Sequence, residues 1–294
     1  MCKSRHPLAM SAPTENNAPR ARPVLLVVGT ALVACASTLL GIGGGAFLVP
    51  LLAAWGPLRM KKSVGTSLAV IAGVVAVGLV AQLATRPADI SWPLVGLLVV
   101  GAFGGAPVGR FLLRILPRQA FRYVFAAFLL LVAVRMFGFI PAATGLLGRA
   151  PRIDALQTIV YSLGTGFLAG VTSTLFGIGG GMVIVPALMI GYSDLSEHFV
   201  SARATSLAAI VPISAWGTFL HWKKGNVRVA FVPRLLPLAV GFAVLGVVAS
   251  YWLEARVLTF VFGLLLLGIA IKVALEKPRA NVPDDDEAAP GAPS

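Results

Sequence analysis

Charge is what this chain lacks most. Of its 294 residues only 12% are Asp, Glu, Lys or Arg, against 57% hydrophobic, and mean hydropathy is +0.89. A soluble domain carries roughly 25% charged residues, so this composition cannot clothe a surface in water, and a bilayer is the solvent it fits. Acids are scarcer still: all 11 fall in tails or between apolar runs. Cation transporters and proton pumps use intramembrane carboxylates as ligands or relays, and no apolar run here contains one. Three histidines and two cysteines make no cluster with metal-ligand spacing, and Cys2 and Cys35 make no disulfide framework. Ser-His-Asp and Cys-His arrangements are missing too. Neither an enzyme nor a metal or other cofactor is expected.

What the chain does have is an excess of base, with a net charge of +13. Its Lys and Arg do not form a stripe with interleaved aromatics, which excludes nucleic acid as a partner. They sit in short clusters between apolar runs, where membrane proteins keep their cytoplasmic loops positive. Residues 1–22 hold Lys3, Arg5, Arg20 and Arg22 among three prolines and read as a disordered cytoplasmic tail. Residues 276–294 hold Asp284, Asp285, Asp286 and Glu287 and read as a solvated acidic tail.

Between the tails one unit is written twice. Gly41–Leu52 reads GIGGGAFLVPLL and Gly177–Leu188 reads GIGGGMVIVPAL, an offset of 136 that Ser37/Ser173 and Thr38/Thr174 share. TSLAVI from Thr66 returns as TSLAAI from Thr205 at an offset of 139, which also pairs Gly78 with Gly217 and Gln82 with His221. Gly109 and Gly246 match at 137. Each unit runs an apolar stretch into its glycine cluster, then a short apolar run, then three longer ones. The longer runs approach the roughly 20 residues that a spanning helix needs, among them Val64–Ala84, Trp92–Leu113, Phe121–Ile140 and Ala202–His221. The short run is expected to form half of a broken or re-entrant hairpin, which is tolerable only where its backbone is buried in protein or lines a wet cavity.

The expected architecture is therefore all-α and polytopic. Residues 23–140 and 156–275 form two transmembrane repeats joined by a loop at 141–155, with about eight membrane segments in all. With the N-terminal tail inside, the clusters Arg59/Lys61/Lys62, Arg110/Arg114/Arg118/Arg122, Lys223/Lys224/Arg228/Arg234 and Lys272/Lys277/Arg279 all fall inside, as the positive-inside rule requires. Each repeat then crosses an odd number of times and the two are inverted, a recurrent transporter design. Both termini are expected on the cytoplasmic side of the cell membrane.

The glycine clusters are the candidate site. GIGGG contains GxGG, but the basic Arg59, Lys61 and Lys62 stand where a dinucleotide fold needs its acid, and no Walker lysine follows. Close helix packing accounts for Gly101, Gly104, Gly105 and Gly109. At Gly41, Gly43, Gly44 and Gly45, and at Gly177, Gly179, Gly180 and Gly181, a backbone stripped of side chains can offer N–H groups beside the positive end of a restarting helix, which suits an anion. Thr66, Ser67, Thr205 and Ser206 follow, able either to donate to an anion or to cap a helix. Arg203 is a candidate anion anchor or an external-loop residue, and Arg135 is either functional or snorkelling. Gln82 and His221 lie near run ends.

The paired GIGGGxxxVP clusters, each followed by a TSL segment and a glycine-punctuated helix, resemble the sulfite exporter TauE/SafE family of permeases over about residues 24–275. The resemblance implies a substrate path flanked by Gly41–Gly45 and Gly177–Gly181, and a cargo among small sulfur-containing anions such as sulfite, sulfoacetate and related organosulfonates. The expected function is alternating-access transport of such an anion. The alternatives are a passive anion channel and a membrane subunit without cargo.

Overall fold

The computed structural model describes residues 23–55, 58, 60–115, 156–192 and 199–275, with isolated helical positions between 123 and 137. The two tails, the 141–155 loop, Arg135 and most of the Phe121–Ile140 run lie outside the described residues. Among the described residues the fold is helical, without strands. The helices are α1 (Pro23–Leu40), α2 (Gly45–Trp55), α3 (Met60–Thr85), α4 (Trp92–Ile115), α5 (Leu156–Phe176), α6 (Gly181–Gly191), α7 (Phe199–Trp222), α8 (Val232–Trp252) and α9 (Ala255–Leu275). Five of them, α3, α4, α5, α7 and α8, are long and apolar enough to cross a bilayer.

The outside is apolar and the inside is not. Val80, Val100, Phe111, Val160, Leu245 and Phe260 are among the large hydrophobic side chains left exposed, while Thr30, Thr38, Ser67, Gln82, Thr174, Ser206 and Arg203 are buried. Water would impose the reverse. In lipid the outer face costs nothing, and helices associate through close packing of small residues and interhelical hydrogen bonds.

Each glycine cluster turns the chain back. Leu51 on α2 lies beside Gly29 on α1, and Gly191 at the end of α6 lies beside Tyr161 on α5. The Tyr161 hydroxyl donates to the Ala187 carbonyl at 2.8 Å, tying that second hairpin together. The first helix of each half then packs on the other half: α1 against α8, and α5 against α4. Small residues set how close they come. On α4, Gly101 faces the Leu163 carbonyl, Gly105 the Phe167 carbonyl and Gly109 the Val171 carbonyl. Gly104 meets only the edge of the Phe167 ring, at 3.9 Å, so it is not part of that seam. Equivalent hydroxyls bridge the two seams. Thr38 donates to the Ala243 carbonyl at 2.8 Å, and Thr174 donates to the Ala106 carbonyl at 3.0 Å. The helices α3 and α7 cross at the centre and hold the two hairpins between them.

Candidate functional site

The two glycine clusters meet. A methyl group on Gly45 would overlap the Gly177 carbonyl, one on Gly181 would overlap the Gly41 carbonyl, and one on Gly43 would stand 2.6 Å from the Ile178 carbonyl oxygen. The crossing works only with bare backbone. Gly43, Gly44, Gly179 and Gly180 also take left-handed φ values of 81°, 69°, 83° and 91°, which other residues reach at a cost of roughly 1–2 kcal/mol each. Among the described residues, the N–H groups of Gly43–Gly45 and Gly179–Gly181 have no backbone acceptor. They are the unspent donors of two helix N-termini, at the ends where the helix dipole is positive.

The helices α3 and α7 grip this crossing from opposite halves. Ser67 donates to the Gly177 carbonyl at 3.1 Å and Ser206 to the Gly41 carbonyl at 2.8 Å. Each serine thus holds the break of the other repeat. Thr66 and Thr205 sit elsewhere. Their hydroxyls accept the Arg228 and Ser91 amides, both at 3.1 Å, fastening the segments that lead into α8 and α4. Both α3 and α7 start earlier than the apolar runs suggest, at Met60 and Phe199. All four hydroxyl residues therefore stand well inside a helix and not at its cap.

Arg203 is within α7 and 0% exposed, not in an external loop. Its Cγ would lie 2.8 Å from a methyl on Gly41, so its side chain leaves directly from the first break. One terminal nitrogen donates to the Thr38 carbonyl at 3.0 Å and the other to Gln82 Oε1 at 2.5 Å. Its Nε is buried without a partner. Among the described residues no carboxylate forms an ion pair with it. The corresponding place in the other half is occupied by Val64, beside Gly177. There His221 Nε2, 3.2 Å from the Thr174 carbonyl, covers the oxygen equivalent to that of Thr38. One half thus closes its helix end with a neutral-capable ring, the other with a guanidinium, which stays charged even when buried.

Besides the first break lies a cavity of about 10 Å³, lined by Thr30, Ser37, Gly43, Gly44 and apolar neighbours, with the Ser37 hydroxyl unpartnered. Such a space holds about one water and not a sulfur oxyanion. The crossing is closed around itself in this conformation.

Gln82, Tyr251, Thr38 and His221 were not singled out as binding residues by sequence reasoning. The signal for three of them was present, since Gln82 and His221 occupy matching positions of the repeat and Thr38 matches Thr174. Tyr251 carried none, because its partner Gln82 lies 169 residues away on another helix.

An apolar exterior, helices of spanning length and a polar, glycine-crossed centre define a multi-pass membrane protein. The comparisons with known proteins place it further. The sulfite exporter TauE/SafE family model matches residues 2–136 and 162–293, and the chain belongs to that family. It is similar to YunE of Bacillus subtilis, 24% identical over 272 residues, covering 86% of this chain and 97% of the relative. It also resembles a protein of Xylella fastidiosa, 30% identical over 268 residues and covering 85% and 94% of the two chains. A protein of Methanocaldococcus jannaschii is 29% identical over 218 residues, covering 69% and 73%. All three are named as probable membrane transporter proteins. The chain is thus a member of a transporter family and not an enzyme. No solved structure is a significant match.

Proposed function

We propose that this protein moves a small anion, a sulfur oxyanion or organosulfonate, across the cell membrane by alternating access. The single observation that carries the reading is Arg203, a wholly buried guanidinium rooted at the glycine crossing with no carboxylate paired to it. An unpaired cation in a membrane interior is expensive and marks a functional site. The acid nearest in effect, Asp89, acts on it only through space, so a bonded counter-charge is left for the cargo to supply. The unspent N–H groups of the two breaks, with Ser67 and Ser206 beside them, would share the head group once the halves part. Thr66 and Thr205 act further out, by holding the segments that shape the path.

The paired contacts on either side of the crossing support two inverted repeats that rock about it, and the basic loop clusters support cytoplasmic termini. A potential of 100 mV, negative inside, is worth about 2.3 kcal/mol per charge, so a dianion is driven outward and export needs no coupled ion. The test is counterflow in proteoliposomes with sulfite, sulfate, thiosulfate, sulfoacetate, taurine and a carboxylate control. Saturable uptake of one sulfur anion, accelerated by the same anion on the far side, is expected. Non-saturable flux without acceleration would mean a channel, and no flux from folded protein would remove the anion reading.

A further inference from the structure

The amide oxygen of Gln82 sits in a place built for something more negative. It receives two hydrogen bonds from two other helices: Arg203 at 2.5 Å from α7, and the Tyr251 hydroxyl at 2.6 Å from α8. The same hydroxyl lies 3.0 Å from Thr85 Oγ1. The Tyr251 ring faces two guanidiniums, with Arg203 Cζ 5.4 Å and Arg86 Cζ 4.9 Å from its centre. Gln82 itself is fully buried, its amide nitrogen turned away to the Arg86 carbonyl at 2.9 Å. A guanidinium and a phenol thus converge on one neutral oxygen, the Thr85 hydroxyl being held by the Ala81 carbonyl at 2.9 Å and reaching only the phenol, and Arg203 Nε still has no partner. That donor set is the one an oxyanion takes, because charged acceptors form shorter and stronger bonds with guanidinium than amides do.

We propose that Gln82 Oε1 is a stand-in for a substrate oxygen, and that Tyr251 is an anion ligand in addition to Arg203, with Thr85 steadying the phenol. In the empty protein the glutamine keeps the guanidinium and the phenol satisfied. An arriving anion takes over both donors and engages the idle Nε, while the Gln82 side chain rotates aside. The competing acceptor within the chain is Asp89, in the turn just beyond α3, with one carboxylate oxygen buried and unpartnered. The second half offers no equivalent place: His221 bonds its carbonyl directly and Val64 replaces the arginine. The guanidinium and phenol donors therefore approach the anion from one side of the crossing only. This inference rests on the anion reading above.

The test is the thermal unfolding midpoint of the purified, detergent-solubilised protein titrated with sodium sulfite and, separately, sodium sulfate, at constant ionic strength. Tyr251→Phe should weaken the apparent affinity about tenfold or more, the worth of one hydrogen bond to a charged group. Gln82→Ala, by removing the competitor, should tighten it severalfold. Gln82→Glu should raise the midpoint without ligand and abolish the anion response, because a built-in carboxylate fills the site. Saturable binding by the wild type with all three variants unchanged would overturn the stand-in role and leave the anion reading intact. No anion response in the wild type, together with no flux, would overturn both.

Discussion

Replacing Arg203 with methionine separates the cost of this residue from its use. The substitution keeps roughly the length of the side chain and removes the charge. Two hydrogen bonds disappear, to the Thr38 carbonyl and to Gln82. Gln82 keeps its bond from Tyr251, so the main loss is a buried carbonyl left bare, at about 1–3 kcal/mol. Against this stands relief from burying a charge, at about 2.5–3.5 kcal/mol for arginine at a membrane helix centre. The two nearly cancel, and folding stability should change by less than about 2 kcal/mol in either direction. Binding should not cancel. Removing one partner of a desolvated charge pair costs about 2–5 kcal/mol, at least a thirtyfold loss of affinity. The assay reads both from one preparation: unfolding midpoint without ligand, and saturable sulfite flux per folded molecule. A variant that unfolds readily, yet whose folded fraction transports at the wild-type rate, would refute the reasoning and make Arg203 a packing residue.

Other outcomes follow from the same contacts. Gly45→Ala should lose folded protein by size-exclusion in detergent, since its methyl would meet the Gly177 carbonyl, a worse conflict than ordinary overpacking at roughly 1–3 kcal/mol. Gly96→Ala, with open space around it, should be neutral or stabilising by up to about 1 kcal/mol. Ser206→Ala and Ser67→Ala each strip a donor from a break carbonyl and should lower stability by about 1–3 kcal/mol; thermal unfolding will show whether the two losses match. A cysteine replacing Ala88 should react with an impermeant maleimide on intact cells, and one replacing Lys224 only after permeabilisation, the native cysteines being removed from both. The reverse pattern would invert the proposed orientation.

The helices were legible because lipid imposes a length on them: the Trp92–Leu113 run became α4 almost residue for residue, and the Ala202–His221 run became most of α7. The pairing of the glycine clusters was legible because the unit is repeated. Their contact with each other was not. Ser67 and the Gly177 carbonyl are 110 residues apart, Ser206 and the Gly41 carbonyl 165, and no local pattern carries such a partnership. Arg203 was ambiguous for a related reason. It stands at the second position of the apolar run that starts at Ala202, where helix and preceding loop meet, and only packing of α7 against Gly41 buries it. Tyr251 escaped notice because its partner, Gln82, belongs to a distant helix. What local chemistry determines could be read, and what close approach of remote backbones determines could not.

The most direct test of the central claim is sulfite flux in proteoliposomes under an imposed potential, wild type beside Arg203→Met. Saturable flux that rises with the potential driving the anion, and that falls at least thirtyfold in the folded variant, is the predicted result. Equal flux through both proteins would contradict it, because the buried guanidinium would then have no part in carrying the anion.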